Sequence, residues 1–123
     1  MELNGLHHIG IPTDRFEESQ KFYEKLGFEL IRIEKNGDNK VGFYKLGSLV
    51  LEIWEAEPKG HPGAIDHFAL DTNNIESVFT KVKGLGVEFI DKKIQELPFW
   101  ENGIRYFNFY GPNKEIIEIC QKN

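Results

Sequence analysis

The chain has 123 residues, 40% of them hydrophobic and 28% charged, which is typical of one soluble domain with its own hydrophobic core. Its formal net charge is −5 and its basic residues do not cluster, which argues against nucleic acid or an anionic membrane as a partner. The N-terminus lacks a secretory signal pattern, no apolar run is long enough to span a bilayer, and the single cysteine excludes an internal disulfide. We therefore expect a cytoplasmic protein without nucleic-acid or membrane partners.

The sequence consists of two similar halves. When residue n is placed beside residue n + 59 (67 minus 8), HIGI at 8–11 falls on HFAL at 67–70, and LGFEL then falls on LGVEF without a gap. Further on, YKLGSLVLEIW (44–54) resembles FYGPNKEIIEIC (109–120) once the second turn is made longer by two residues. Self-similarity of this kind indicates a duplicated supersecondary unit.

The first half begins with a short apolar strand and an amphipathic helix. Within the helix, Asp14 and Glu17 have the spacing of a capping box, and Gly27 supplies a C-terminal stop. The Asn-Gly dipeptide in KNGDN is a strong hairpin signal between two later strands. The predicted elements are a strand over 5–11, a helix over 13–28 and strands over 28–34, 40–46 and 48–55.

The second half repeats this order after a linker at 57–63. Its helix has Asn73 and Glu76 at cap spacing. The predicted elements are a strand over 64–71, a helix near 74–84 and strands near 87–92, 104–110 and 114–121. The sequence therefore predicts an α+β fold of two tandem βαβββ modules, about 1–56 and 64–123, within one domain.

Each half carries a histidine and a glutamate in otherwise apolar strands. An unpaired carboxylate in an apolar site costs several kcal/mol, so the repeated glutamates need a common explanation. Side chains alternate across a strand, and if the helices cover the isoleucine-rich faces, four polar residues share the uncovered face: His8, Glu52, His67 and Glu118. Imidazole nitrogen and carboxylate oxygen suit zinc, nickel, cobalt, manganese or iron, and a cation would neutralise the carboxylates. The pattern thus predicts a divalent metal site.

The alternative interpretation is that the histidines are structural and the glutamates lie on an exposed face. Repetition of each residue at the equivalent position favours the metal interpretation. His7 has the opposite strand parity and His61 lies in the linker, so neither is expected to be a ligand. Cys120 is interpreted as a small core residue.

The chain resembles the vicinal oxygen chelate superfamily, which includes glyoxalase I, methylmalonyl-CoA epimerase, extradiol dioxygenases, fosfomycin-resistance thiol transferases and bleomycin-binding proteins. The resemblance covers essentially the whole chain and rests on HHIGIPT leading to KFYEKLGFEL, on AIDHFALDT and on FYGPNKEIIEIC. It implies that the two modules form a curved, cup-like mixed sheet around one divalent metal ion, with helices on the outer face. It also implies a homodimer that acts on a small molecule.

The ligand pattern is most similar to that of glyoxalase I. This resemblance implies nickel, zinc or cobalt, with manganese or iron as alternatives, held by His8, Glu52, His67 and Glu118. It implies lactoylglutathione-lyase chemistry, in which Glu118 transfers a proton through a metal-stabilised enediolate of an α-oxo substrate or its thiol adduct. Glu52 is then the balancing catalytic ligand, and the two glutamates can exchange roles. Pro12 departs from the glyoxalase I pattern, which usually has an arginine there for glutathione.

Other functions of the superfamily are alternatives to this one. They are an epimerase, an extradiol-type dioxygenase, or a non-catalytic binding protein of the bleomycin-resistance type. The aromatic segment 94–107 is expected to form a lid or pocket wall, with apolar surface from Trp54, Phe99 and Trp100, or else a dimer interface. Arg105 and Lys40 are candidates for contact with an anionic substrate, and the alternative for each is a solvated surface charge.

Overall fold

A computed structural model describes residues 1, 4, 6–63 and 65–123 of the chain. Gly5 and Ala64, the predicted first residues of two strands, lie outside the described residues. The described chain forms two compact units, Met1–Gly60 and His61–Asn123, whose boundary falls inside the predicted linker. No helix in the described ranges has both the length and the apolar character needed to cross a bilayer.

The first unit is a four-stranded sheet with one helix. Its elements are β1 (Ile9–Thr13), α1 (Phe16–Lys25), β2 (Glu29–Asn36), β3 (Asn39–Leu46) and β4 (Leu49–Glu55). The strand order is β1-β4-β3-β2, with β1 parallel to β4 and the other pairs antiparallel. Two-residue turns join β2 to β3 and β3 to β4, and each begins with a glycine at positive φ.

The second unit repeats this topology. Its elements are β5 (Phe68–Asp71), α2 (Ile75–Lys83), β6 (Gln95–Leu97), β7 (Ile104–Tyr110) and β8 (Ile116–Lys122). The strand order is β5-β8-β7-β6, with β5 parallel to β8. The predicted α+β class and the repeated βαβββ order are confirmed.

The strand predicted over 87–92 is wrong. Phe89 forms only an isolated bridge with Phe109, and β6 begins later in the chain. The Asp91 N–H donates to the Asn108 carbonyl at 3.1 Å, while the Asp91 carboxylate accepts the Asn108 backbone N–H at 2.9 Å. Because a side chain occupies that backbone donor, a regular ladder cannot continue through this segment.

The first helix ends at Lys25, before the predicted end at 28, and Gly27 supplies the predicted stop. The Gly27 N–H donates to the Glu24 carbonyl at 3.0 Å, and the Phe28 N–H donates to the Tyr23 carbonyl at 2.9 Å. These two bonds form a Schellman motif, which requires a left-handed residue at Gly27, and its φ is +103°. Glycine is therefore needed at this position for its backbone conformation.

The two predicted helix caps are wrong. The residue that caps α1 is Arg15, and it makes no side-chain capping bond among the described residues, while Glu17 pairs with Lys40 at 2.8 Å. The cap of α2 is Asn74, whose Oδ1 accepts the Ser77 N–H at 3.1 Å. The N-cap of each helix thus lies one residue after the predicted one.

The predicted division of each sheet into an apolar and a polar face is confirmed. Alternate residues of β4 and β8 are fully or almost fully buried on the apolar face: Leu51, Ile53, Ile117 and Ile119. The glutamates between them are partly exposed. Each sheet therefore buries its aliphatic face within its own unit and leaves the opposite face for polar side chains.

We predict that Gly27→Ala lowers the free energy of unfolding by about 1–2 kcal/mol, because alanine is strained at positive φ. An added Cβ would meet only Leu46 Cδ1 at 3.7 Å, so the loss reports backbone strain rather than a clash. Urea denaturation measures it. Gly63→Ala, where an added Cβ meets nothing within 4 Å, is the control and should leave the stability nearly unchanged.

Candidate metal and proton-transfer site

Each unit brings one histidine beside one glutamate. In the first unit, Nε2 of His8 lies 3.8 Å from Oε1 of Glu52. In the second unit, Nε2 of His67 lies 3.0 Å from Oε2 of Glu118. Glu52 lies in β4, which pairs in parallel with β1 just after His8, and Glu118 lies in β8, which pairs in parallel with β5 just after His67. The four residues therefore form two pairs, which we call the first and second His–Glu pairs.

The histidines lie just outside the strands in which they were predicted. The ladder between β1 and β4 begins with Ile9 opposite Leu51, and the ladder between β5 and β8 begins with Phe68 opposite Ile117. The two histidine side chains still lie on the polar face, because each imidazole is beside the glutamate of the neighbouring strand.

The glutamate of the second pair is the more buried one. The exposed fraction of the Glu118 side chain is 17%, against 27% for Glu52. Burial raises the pKa of Glu118, the nearby charge of His67 opposes this, and the carboxylate of Asp91 adds to it. A carboxylate whose pKa is raised is a better proton acceptor near neutral pH.

The short distance in the second pair has a chemical consequence. A neutral imidazole nitrogen without a proton and an ionised carboxylate both present lone pairs, which repel each other at 3.0 Å. A proton or a cation between Nε2 of His67 and Oε2 of Glu118 removes this repulsion. The second pair therefore favours a proton or a cation bound between Nε2 of His67 and Oε2 of Glu118.

The donor separations are compatible with a divalent metal ion. Two nitrogen or oxygen donors at about 2.1 Å from one ion lie about 3.0–3.4 Å apart in octahedral or tetrahedral geometry. The second pair fits this range, and the first pair at 3.8 Å is a few tenths of an ångström wider. Over the described residues, no three His, Cys, Asp or Glu side chains group closely enough to hold a metal ion. The four-ligand set stays a prediction.

The first pair has apolar neighbours. Gly10 lies opposite Glu52 in the sheet, and a Cβ added at Gly10 would stand 2.8 Å from Cζ3 of Trp54. The Trp54 ring therefore lies directly over the glycine backbone. Phe43 also lies opposite Glu52, from the other neighbouring strand, and its ring meets the His8 ring edge-on at 6.1 Å. This supports the prediction that Trp54 supplies apolar surface near a ligand residue.

The second pair has small or polar neighbours. The residues at the equivalent positions are Ala69, Cys120 and Asn108. Nδ2 of Asn108 donates to Oδ2 of Asp91 at 2.8 Å, which holds a further carboxylate near Glu118. Burial raises the pKa of the half-buried Cys120 thiol, which favours its neutral form. The two pairs therefore repeat in backbone geometry but differ in chemical surroundings.

The aromatic segment forms the turn of a hairpin. Phe99 and Trp100 lie in the turn between β6 and β7 and are 53% and 65% exposed, with ring centroids 6.3 Å apart. Trp100 has a φ of +59°, which is uncommon for a residue other than glycine. The exposure agrees with either a lid or an interface, so the expectation about these two residues stays open.

Arg105 lies on the helix-covered face of its sheet. Its guanidinium contacts the carboxylate of Glu76 on α2 and lies 3.3 Å from Oε1 of Gln121 and 3.2 Å from Oδ1 of Asn123. A substrate contact by Arg105 would require these bonds to break. Strand alternation predicts this placement, because Arg105 has the same parity as the buried Phe107.

Two further contacts were missed by the sequence reasoning. Nδ1 of His8 lies 2.9 Å from Nδ1 of His7, and Nδ1 of His67 lies 2.9 Å from Oδ2 of Asp66. Strand alternation places adjacent residues on opposite faces, so no contact between a predicted ligand and the residue before it was expected. The signal that could have found them is the repeat itself, because His7 and Asp66 occupy equivalent positions (66 minus 7 is 59).

The duplicated fold and the paired histidines and glutamates place this protein in a recognised class. The chain belongs to the Glyoxalase/Bleomycin resistance protein/Dioxygenase superfamily, whose family model matches residues 5–119. The resemblance inferred from the sequence motifs is confirmed at this level.

Two relatives come from Bacillus subtilis (strain 168). The uncharacterized protein YwbC is 34% identical over 95% of this chain and 97% of its own length. The uncharacterized protein YwkD is 26% identical over 99% of this chain and 100% of its own length.

Solved structures with the same fold include two bacterial proteins. FosX, a fosfomycin resistance protein from Listeria monocytogenes solved with Mn(II) and sulfate, has a TM-score of 0.80 at 18% identity and covers 99% of this chain and 95% of its own. A glyoxalase family protein from Enterococcus faecalis has a TM-score of 0.79 at 25% identity, and the match covers 98% of this chain and 99% of the other. At its level of identity the FosX match establishes the fold alone.

We predict that Gly10→Ala displaces the Trp54 ring, because the added Cβ would lie 2.8 Å from Cζ3 and 3.3 Å from Cη2 of that ring. In a Trp100→Phe background, in which Trp54 is the remaining tryptophan, the fluorescence emission maximum should move to longer wavelength as the ring becomes more exposed. Gly63→Ala in the same background should leave the spectrum unchanged. An unshifted spectrum in Gly10→Ala would show that Trp54 does not cover the glycine.

Proposed function

We propose that this chain is a metal-dependent lyase or isomerase of the glyoxalase I type, which moves a proton between neighbouring carbons of a small α-oxo substrate or its thiol adduct. The observation that carries the proposal is the His–Glu pair, repeated in both units with nitrogen-to-oxygen distances of 3.8 and 3.0 Å. The same donor set is present in each half of a chain of this superfamily. A protein that only bound a drug would have no need of two matched pairs.

The proposed metal ligands are His8, Glu52, His67 and Glu118. Their donors are borderline to hard, which suits nickel, zinc or cobalt, with manganese or iron as alternatives. Manganese gains some support from FosX, which has the same fold and was solved with Mn(II). When bound, a divalent ion supplies a Lewis acid that stabilises negative charge on a substrate oxygen.

Glu118 is the proposed general base. It is the more buried of the two glutamates, and burial raises its pKa, so it accepts a proton more readily than an exposed carboxylate does. Its contact with His67 orients the carboxylate, and in the proposed reaction Glu118 takes a proton from one substrate carbon and returns it to the next. Glu52, whose side chain is more exposed, is the proposed balancing ligand.

The proposed setting is a cytoplasmic homodimer that acts on a small molecule. Apolar surface beside the first pair comes from Trp54 and Phe43, which can shield a reacting carbon from water. Pro12 lies opposite Trp54 in the sheet, and the chain has no arginine at that position to hold a glutathione carboxylate. We therefore propose a thiol adduct other than that of glutathione, or a free α-oxo compound.

A second candidate function is a reaction on a phosphonate related to fosfomycin. It is favoured by the fold shared with FosX, one variant of which was solved with Mn(II) and 1S,2S-dihydroxypropylphosphonic acid at a TM-score of 0.77 and 21% identity. Fosfomycin consumption, followed by phosphorus NMR with each candidate metal, separates this reaction from proton transfer on an α-oxo substrate.

We predict about one transition-metal ion per chain after purification and reconstitution, measured by plasma mass spectrometry. His67→Ala should lose the ion, because the second pair then keeps only its carboxylate. His61→Ala, which removes an exposed linker histidine, is the control and should retain it. A wild-type chain that binds none of the candidate ions, or an unchanged content in His67→Ala, would remove the metal from the proposal and favour a binding protein.

We predict that Glu118→Gln lowers turnover by about 10²–10⁴-fold at saturating metal, because glutamine cannot accept the proton. Turnover is measured with α-oxo aldehydes and a panel of thiols, together with deuterium exchange from solvent into the product. Glu52→Gln should cost less, and Glu57→Gln, at an exposed linker residue, should cost nothing. If Glu52→Gln costs more than Glu118→Gln, the two glutamates have the opposite roles.

A further inference from the structure

The residue that precedes each site histidine contacts the ring nitrogen that faces away from the glutamate. In the second unit, Oδ2 of Asp66 lies 2.9 Å from Nδ1 of His67, whose Nε2 faces Glu118 at 3.0 Å. In the first unit, Nδ1 of His7 lies 2.9 Å from Nδ1 of His8. Both nitrogens of His67 thus have a partner within 3.0 Å, whereas His8 has a close partner at Nδ1 and a carboxylate 3.8 Å from Nε2.

The second unit defines the direction of its hydrogen bond. An ionised carboxylate only accepts hydrogen bonds, so Nδ1 of His67 must carry the proton that it donates to Asp66. Rotation of the ring by 180° would point a carbon at Asp66 and lose this charge-assisted bond. Asp66 therefore favours the one ring orientation in which Nε2 is directed at Glu118.

The first unit has a weaker version of the same arrangement. Two imidazole Nδ1 atoms at 2.9 Å share one proton, so one ring donates and the other accepts. If His8 donates, its Nε2 is the nitrogen left to face Glu52, as in the second unit. In that case the acceptor in the first unit is the uncharged Nδ1 of His7, whereas the acceptor in the second unit is the Asp66 carboxylate, so the bond to His67 is the stronger of the two.

We propose that Asp66 and His7 are positioning residues, each of which accepts the Nδ1–H of the following histidine and so presents Nε2 to the glutamate of its pair. The duplication supports this, because the same contact recurs at equivalent positions although the two residues differ in chemistry. The consequence for metal affinity rests on the proposed function, whereas the orientation of the rings does not. Residues that fix the second nitrogen of a metal-binding histidine typically contribute 10–100-fold to metal affinity.

The orientation is tested first on the metal-free protein. In ¹⁵N-histidine-labelled wild-type protein, we expect a slowly exchanging Nδ1–H resonance for His67, because Asp66 accepts this proton. Asp66→Ala should lose this resonance to exchange with water, and Asp66→Asn should keep it, because the amide oxygen still accepts. Glu57→Ala, which removes an exposed carboxylate, should have no effect. An Nδ1–H that is absent in wild type, or unchanged in Asp66→Ala, overturns the proposal.

The effect on metal binding is tested by competition of Zn²⁺ with a chromophoric chelator. We expect Asp66→Ala to weaken Zn²⁺ binding about 10–100-fold, Asp66→Asn to restore most of it, and His7→Ala to cause a smaller loss. His61→Ala controls for adventitious binding by an exposed histidine. Wild-type affinity in Asp66→Ala overturns the proposal. Failure of the wild-type protein to bind Zn²⁺ or the other candidate ions contradicts the proposed function instead, and the imidazole spectra still decide whether Asp66 orients the ring.

Discussion

The parallel pairing of the first and last strands of each unit determines where the polar chemistry lies. In the second unit this pairing sets Phe68 opposite Ile117, and the strand alternation that buries Ile117 and Ile119 turns Glu118 to the other face. His67, one residue before the strand, then has a carboxylate 3.0 Å away. A shift of the pairing by one residue would bury the glutamate and expose the isoleucines, so the core and the His–Glu pair stabilise the same register.

Duplication has preserved this geometry while the surroundings of the two pairs have diverged. Around the first pair, a glycine leaves room for the Trp54 ring, and Phe43 packs against the histidine. Around the second pair, small and polar side chains bring the Asp91 carboxylate near Glu118, and the pKa of Glu118 is raised chiefly by its burial. The first pair therefore has apolar surroundings, whereas the second has a carboxylate with a raised pKa.

Membership of the superfamily does not define a substrate. Solved structures with the same fold include a fosfomycin resistance protein and a glyoxalase family protein, and both relatives from Bacillus subtilis are uncharacterized. Three features of this chain's own residues are more specific than its superfamily. They are the intact pair in each half, the proline opposite Trp54, and the partners of the two histidines at Nδ1.

The sequence by itself determined the duplication, the α+β class, the order of elements and the faces of the strands. These follow from the spacing of apolar residues and from short-range turn chemistry, such as the left-handed glycine that ends α1. The strand predicted over 87–92 was wrong. There the Asp91 carboxylate accepts the Asn108 N–H in place of a backbone carbonyl, and no local sequence pattern encodes a contact between residues so far apart in the chain.

Only the tertiary structure decided the neighbours of the site residues. Arg105 pairs with Glu76 of α2, Trp54 covers Gly10, and Asp66 contacts Nδ1 of His67. The physical reason is that periodicity tells which face a side chain occupies, whereas distances of about 3 Å between donors and acceptors depend on how neighbouring strands align and which rotamers pack.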